Sequence, residues 1–140
     1  MPVDKLFNTT IDLLGKNIDL RARSHNQLSA NIANAETPGY TPRRLSFEGE
    51  LRDALQDKKK GLPQPQTNAR HIPIKGSSAK LEAVQGRTVA TPATTVGRDG
   101  NSVELESEMA QMAENQIMFN ASVQILAKKF ESLKSAIKGQ

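Results

Sequence analysis

An apolar pattern in the last third of this 140-residue chain constrains its fold more than any other feature. Apolar residues recur there at alternating steps of four and three for more than four heptads, at nine of ten positions. A 3.5-residue period of this length places all ten on one seam of a long α-helix and favours packing against another helix. The C-terminal seam consists of Leu105, Met109, Met112, Gln116, Phe119, Val123, Leu126, Phe130, Leu133 and Ile137.

Polar residues suggest where this helix begins and ends. Asn101 follows Gly100 and is the predicted N-cap, with Glu104 as the capping-box residue three positions later. Glutamates are concentrated near the predicted start and lysines near the end, as the helix dipole favours. We therefore predict a helix over residues 102–138.

The N-terminal segment carries a second seam with the same alternation, interrupted by Arg21 and His25. We interpret these two residues as polar seam positions that set the pairing register. The predicted helix covers about residues 4–35 and ends at Pro38 and Gly39, with Pro38 at the second position of a type I or type II turn. The N-terminal seam consists of Phe7, Ile11, Leu14, Ile18, Leu28 and Ile32.

The middle of the chain has a different composition. Residues 38–100 contain six of the seven prolines, seven of the nine glycines and an excess of five positive charges. The pattern predicts a short amphipathic helix over 46–57 and short extended pieces near 70–75 and 87–91 within an otherwise irregular segment.

These observations predict a mainly α fold in which the two long helices pair as an antiparallel coiled-coil-like hairpin. Residues 1–37 and 101–140 would form one discontinuous terminal-helix domain, and residues 38–100 an irregular basic middle segment. A two-helix hairpin leaves much of each apolar stripe in water, because it has no closed core. Assembly with other subunits is the expected consequence.

The residue types argue against catalysis. The chain has no cysteine and only two histidines, which are far apart in sequence, so we predict no metal site, cofactor or catalytic residue. It contains no phosphate-binding glycine loop and no apolar run long enough to span a membrane. The N-terminus lacks the pattern of a cleavable signal peptide. The sequence predicts a protein that is not an enzyme and has no small-molecule substrate.

The basic middle segment leaves an alternative function open. A coiled-coil module could use it to bind nucleic acid. Only Tyr40 and Phe47 are available there for stacking on bases, which disfavours this alternative. A solvated loop, or a loop that contacts an acidic partner, accounts equally for the charge.

Two segments resemble a known family. ANIANAETPGYTPRR, residues 30–44, is similar to the N-terminal signature of flagellar rod, hook and related axial proteins. The stretch from Gly100 to Ile137 is similar to the C-terminal signature of the same group. The short chain, the ENQ at 114–116 and the QILAKKF at 124–130 resemble a proximal rod protein, with its sister rod protein as the alternative.

The resemblance implies a non-enzymatic subunit that stacks helically into the rod, transmits torque and continues the export channel. It implies export through the flagellar type III apparatus without a cleaved signal, and a location in the basal-body rod in the periplasmic space. The implied partners are other copies of the chain, other rod subunits, the rod-base adaptor FliE, the export gate and the membrane ring. Nucleic acid is not among them.

The N-terminal signature also suggests roles for individual residues. Residues 37–40, TPGY, end the first helix and redirect the chain, and the resemblance implies that Asn31, Asn34 and Tyr40 contribute to subunit packing. The alternative is that these three side chains only shape the turn. The motif consists of Asn31, Asn34, Thr37, Pro38, Gly39 and Tyr40.

Overall fold

A computed structural model describes residues 3–56, 81–93 and 96–139, with side chains described from residue 10 to residue 55 in the first range. The predicted extended piece near 70–75 lies outside these residues. The mainly α fold is confirmed. The labelled elements are helix α1 (Val3–Ala33), strand β1 (Arg43–Ser46), helix α2 (Glu48–Gln56), strand β2 (Arg87–Ala90) and helix α3 (Leu105–Lys138).

Helices α1 and α3 lie side by side and antiparallel. Contacts that come later in α1 come earlier in α3: Asn17 meets Ser122, whereas Asn31 meets Glu108. At 1.5 Å per residue, the 34-residue α3 is about 51 Å long. The predicted hairpin of terminal helices is therefore present in the structure.

Strands β1 and β2 form an antiparallel two-stranded ribbon beside α1, with Arg43 opposite Ala90 and Ser46 opposite Arg87. Strand β2 corresponds to the extended piece predicted near 87–91. Strand β1 was not predicted, because its sequence RRLS has neither a run of β-branched residues nor an apolar–polar alternation. The ribbon joins two parts of the middle segment that are about 40 residues apart in sequence.

A small apolar core attaches the middle segment to α1. Leu20 of α1, Phe47 and Val84 are buried together, with partly buried apolar side chains around them. Gly86 closes this core with φ near +71°, and a Cβ there would lie 3.1 Å from side-chain atoms of Leu45 and Phe47. The described parts of residues 38–100 thus contain more regular structure and packing than the predicted irregular segment.

The predicted start of the C-terminal helix is wrong by three residues. Helix α3 begins at Leu105, and its N-cap is Glu104, which makes no side-chain capping hydrogen bond. Asn101 is not the N-cap, because its side chain is engaged at the end of α1. At the other end Gly139, with φ of 71°, provides the left-handed C-cap.

Candidate subunit-packing site

The family-like motif forms a tight turn after α1. The backbone N–H of Tyr40 donates to the carbonyl of Thr37 over 3.2 Å. Gly39 has φ of +70°, the value that a type II turn requires at its third position. The predicted turn with Pro38 at its second position is confirmed, and it is of type II.

This turn is tied directly to the segment that precedes α3. The Gly39 N–H donates to the Asp99 carbonyl over 3.1 Å, and the Ser102 N–H donates to the Tyr40 carbonyl over 3.1 Å. A Cβ on Gly100 would lie 3.5 Å from the Gly39 Cα, so the two backbones are nearly in contact. The end of α1 and the approach to α3 are therefore held as one unit.

The buried side chain of Asn101 binds the turn that follows α1. Its Nδ2 lies 3.0, 2.9 and 2.7 Å from the carbonyl oxygens of Asn34, Ala35 and Thr37. Its Oδ1 accepts the Val103 N–H over 2.7 Å. Because α1 ends at Ala33, these carbonyls belong to the turn, and Asn101 holds that turn to the segment before α3.

Asn31 lies at the centre of the site and is fully buried. Its Oδ1 accepts the Tyr40 hydroxyl and the Arg43 N–H, each over 3.1 Å. Its Nδ2 donates to the Arg43 carbonyl and to Glu108 Oε2, each over 2.8 Å. The amide thereby pairs with both backbone groups of Arg43, much as a neighbouring strand would, and holds the ribbon against the helices.

Glu108 is a buried carboxylate that joins α3 to this network. Arg44 donates to its Oε1 from Nη2 over 2.7 Å and from Nε over 3.3 Å. Together with the bond from Asn31, these contacts engage both carboxylate oxygens. Because an unpaired buried charge is costly, the three donors are what allow a glutamate at this position.

Asn34 and Thr37 act locally. Asn34 Nδ2 donates to the Ala30 carbonyl over 2.8 Å, and the Thr37 hydroxyl donates to Asn34 Oδ1 over 3.1 Å. These bonds shape the end of α1. The structure thus joins Asn31 and Tyr40 to the buried network and keeps Asn34 at the turn, while a role of these residues in subunit packing stays a prediction.

A line of polar residues continues the contact between the long helices. The Asn17 amide donates to the Ser122 hydroxyl over 2.8 Å. Asn115 donates to the Arg21 carbonyl over 2.9 Å and accepts from Arg21 Nη1 over 3.4 Å. Glu108, Asn115 and Ser122 are spaced by seven residues, so they form one buried polar stripe on α3.

Arg21 and His25 lie near this stripe. The Arg21 guanidinium is 5.6 Å from the centre of the Phe47 ring and 3.4 Å from Glu48, in addition to its contact with Asn115. His25 is half-buried, and its Nδ1 has no hydrogen-bond partner among the described residues. Arg21 thus connects both long helices to the start of α2.

The C-terminal seam is divided between two environments. Some of its positions are half-buried, whereas the others are exposed: Met109 is 57%, Phe130 52% and Ile137 85% exposed. The half-buried members are Met112, Phe119, Leu126 and Leu133, and the exposed members are Leu105, Met109, Gln116, Val123, Phe130 and Ile137. Much of this apolar surface remains available to other chains.

The N-terminal seam is more covered. Leu28 is buried, and the side chain of Phe7 lies outside the described residues. The other members are half-buried: Ile11, Leu14, Ile18 and Ile32. These side chains are therefore partly covered within the chain, and their role in contacts with other subunits stays a prediction.

The described residues contain no group of three or more histidine, aspartate or glutamate side chains placed to hold a metal ion. Within the same ranges, no helix combines the length and apolar character needed to cross a membrane. The geometry described above is that of a packing surface supported by buried hydrogen bonds.

Comparison with known proteins identifies the family. The chain is 33% identical over 138 residues to the flagellar basal body rod protein FlgB of Proteus mirabilis, covering 96% of this chain and 97% of that protein. It is 34% identical over 134 residues to FlgB of Cereibacter sphaeroides, covering 96% and 98%. The chain belongs to the FlgB family of flagellar basal body rod proteins. It is also 29% identical over 134 residues to FlgB of Bacillus subtilis, covering 96% and 97%.

No family model matches the chain. Membership of the FlgB family makes it a structural protein of the basal-body rod and not an enzyme, as predicted. It also confirms the interpretation as FlgB, where the sequence had left the sister rod protein FlgC as the alternative.

Sequence reasoning missed the polar half of the site. Asn17, Arg44, Glu108, Asn115 and Ser122 were not predicted, because the apolar seam was taken as the helix contact. A signal was present, since polar residues recur at the same heptad position on α3. Their burial became evident only once α1 supplied matching amide and guanidinium groups.

Proposed function

We propose that this chain is a subunit of the proximal rod that assembles helically and forms part of the drive shaft that transmits torque and continues the export channel. The observation that carries this proposal is the exposed part of the C-terminal seam, represented by Met109, Phe130 and Ile137. Removing apolar area from water contributes about 25 cal/mol per Å², so burial against neighbouring helices would drive assembly.

The proposal gives the terminal helices and the middle segment different roles. The terminal helices, residues 1–37 and 101–140, form the domain that packs against neighbours, through the N-terminal and C-terminal seams. The middle segment, residues 38–100, lies outside that packing layer. The motif residues support packing by fixing where α1 ends and how the ribbon is held, with Asn31 at the centre.

The proposed partners are other copies of the chain and other rod subunits. The resemblance of both terminal segments to axial proteins extends the set to the rod-base adaptor FliE, the export gate and the membrane ring. The proposed location is the periplasmic part of the rod, reached by flagellar export.

The proposal is tested by placing a charge on the exposed seam. Phe130→Asp should leave the fold intact, because the ring is 52% exposed, but it would bury a carboxylate between subunits. Cells that make only this variant should export it, lack completed rods in electron micrographs of basal bodies, and fail to swim.

The matched control is Gln124→Asp, which adds the same charge at an exposed polar position on α3. Cells with this control should swim as the parent strain does. Normal swimming and complete rods with Phe130→Asp would refute the proposed role of the seam.

A further inference from the structure

Charge is separated along α3. Residues 104–118 contain four glutamates and no lysine or arginine, and one of the four, Glu108, is neutralised by Arg44. The other three are Glu104, Glu106 and Glu114, and all are exposed. The first part of the helix thus presents a net charge of −3 to its surroundings.

The last part of α3 has the opposite character. Residues 126–138 contain four lysines and one glutamate, a net charge of +3. All four lysines are exposed, and none forms an ion pair with another described residue. The lysines are Lys128, Lys129, Lys134 and Lys138. They flank the exposed side chains of Phe130 and Ile137.

The seam repeats itself across these two parts. The first four seam positions, Leu105, Met109, Met112 and Gln116, each precede by 21 residues one of the last four, Leu126, Phe130, Leu133 and Ile137. Twenty-one residues are three heptads. If two parallel copies of α3 are displaced by this amount, seam residues of one copy lie opposite seam residues of the other. The displacement corresponds to about 32 Å along the helix.

We propose that the acidic first part of α3 in one copy packs in parallel against the basic last part of α3 in a second copy, offset by 21 residues. The exposed side chains of Met109 and Phe130 then meet across the contact. Glu106 lies level with residue 127, beside Lys128, and Glu114 lies level with residue 135, beside Lys134. This inference rests on the proposed helical assembly and specifies the partner of the exposed seam.

Two arguments favour a second copy over an anionic membrane. The exposed seam residues Met109, Val123 and Phe130 keep the seven-residue spacings of a helix contact, and the acidic first part of the same helix would be repelled by an anionic surface. The contact joins two different surfaces of identical chains, so it propagates without closing on itself when the rotation permits, as a helical assembly needs.

The chain has no native cysteine, so engineered cysteines report the contact without background. Full-length Met109→Cys and Phe130→Cys chains are mixed under oxidising conditions, and the cross-linked dimer is quantified and located by mass spectrometry. The offset contact predicts that the 109–130 disulfide forms severalfold more than any other, because disulfides need Cα atoms within about 7 Å.

Matched controls define the offset. A mixture of Met109→Cys and Val123→Cys chains probes an offset of 14 residues between exposed seam positions, and each single variant alone probes an unshifted contact. The 109/123 mixture, the Met109→Cys chain alone and the Phe130→Cys chain alone should each give little cross-linked dimer. Equal yields in these controls, or a dominant 109–109 or 130–130 product, would overturn the offset.

A charge reversal tests the electrostatic part. Lys134→Glu on the Phe130→Cys chain should lower the 109–130 yield severalfold, and Glu114→Lys on the Met109→Cys chain should restore it. Raising the salt concentration should lower the parental yield, because exposed ion pairs are screened. A 109–130 disulfide yield that changes neither with the charge reversal nor with the salt concentration would contradict the charge pairing.

The same cysteine chains are then co-expressed in cells. Swimming cells that yield the 109–130 product support the inference. Swimming cells in which Phe130→Cys links only to a different protein would overturn the second-copy contact but leave the proposed rod function in place. The purified cysteine chains are also mixed with vesicles that contain anionic lipid. If the chains bind these vesicles and the 109–130 disulfide no longer forms, the partner of the exposed seam is a membrane and the second-copy contact is overturned.

Discussion

The amide of Asn31 joins parts of the molecule that are distant in sequence. It contacts the hydroxyl of Tyr40 in the turn, the backbone of Arg43 in the ribbon, and the carboxylate of Glu108 in α3. An amide has two donor hydrogens and a two-acceptor oxygen, and here all four are used. A side chain of this size and chemistry is therefore required at this position.

Asn31→Ala should lower the free energy of unfolding by about 3 kcal/mol. The substitution leaves both backbone groups of Arg43 without a partner and removes one donor from buried Glu108, and each buried group left unpaired costs about 1–3 kcal/mol. Urea denaturation followed by circular dichroism measures the change.

Asn34→Ala is the matched control for Asn31→Ala. Among the described residues, the Asn34 side chain bonds to Ala30 at the end of α1 and to Thr37 in the following turn, so its loss should cost less than about 1 kcal/mol. Equal losses from the two substitutions would show that the buried network contributes little.

At the level of single residues, the sequence indicated which positions matter, but it did not indicate which partners their side chains bind. The motif containing Asn31 and Tyr40 was recognised, and the turn at Pro38 and Gly39 was predicted from their backbone preferences. The partners of Asn31 lie 9, 12 and 77 residues away in sequence, and no local pattern indicates them. Asn101 was misassigned because an asparagine just before a helix has the pattern of an N-cap, whereas its amide bonds to the turn after α1.

At the scale of elements, α3 has separate faces. The stripe of Glu108, Asn115 and Ser122 faces α1 and forms hydrogen bonds, while exposed seam residues such as Met109 and Phe130 face away. A self-contained helical hairpin would be expected to place its apolar residues between the helices. In α3 part of the apolar seam instead remains exposed, which is consistent with a subunit whose exposed apolar residues contact neighbours.

Asn115→Leu should destabilise the chain by about 2 kcal/mol even though it makes the helix more apolar. The substitution removes the donor to the Arg21 carbonyl and the acceptor for its guanidinium in a buried setting. Gln116→Leu is the control, because position 116 is exposed, and its effect should stay within about 0.5 kcal/mol. A stabilising Asn115→Leu in urea denaturation would show that the polar stripe is dispensable.

The long helices were predictable because their period persists over many residues, and their observed bounds differ from the predicted ones by only a few positions. Strand β1 was not predictable, because it is four residues long and becomes a strand by pairing with β2 far along the chain. The buried polar stripe escaped prediction for a related reason: periodicity shows which residues share a face, but the neighbouring helix decides which face is buried.

At the scale of the whole molecule, a small core adds to the hydrogen bonds of Asn31 and Arg44 in holding the middle segment against the helices. Leu20, Phe47 and Val84 are its buried members, and Leu20 lies outside the predicted seam. The terminal helices have their own contacts through hydrogen bonds. The two sets of interactions can therefore be weakened separately.

Leu20→Ala should lower stability by about 2–5 kcal/mol, the usual cost of emptying a buried leucine site. Its effect on amide hydrogen exchange should be greatest in α2 and the ribbon, since these elements rely on the core, and smaller around Asn101. Leu105→Ala, at a 40% exposed position, is the control and should change exchange little. Uniform loss of protection after Leu20→Ala would mean that core and hairpin unfold together.

The polar pairing of α1 and α3 has a mechanical consequence. Apolar surfaces can slide past one another with little change in energy, whereas hydrogen bonds lose strength steeply when their atoms move out of line. In the proposed drive shaft, the bonds of Asn17, Asn31 and Asn115 would resist shear between the two helices of one subunit, while the apolar contacts between subunits could yield slightly under load. Each subunit would then behave as a stiff strut in a more compliant assembly.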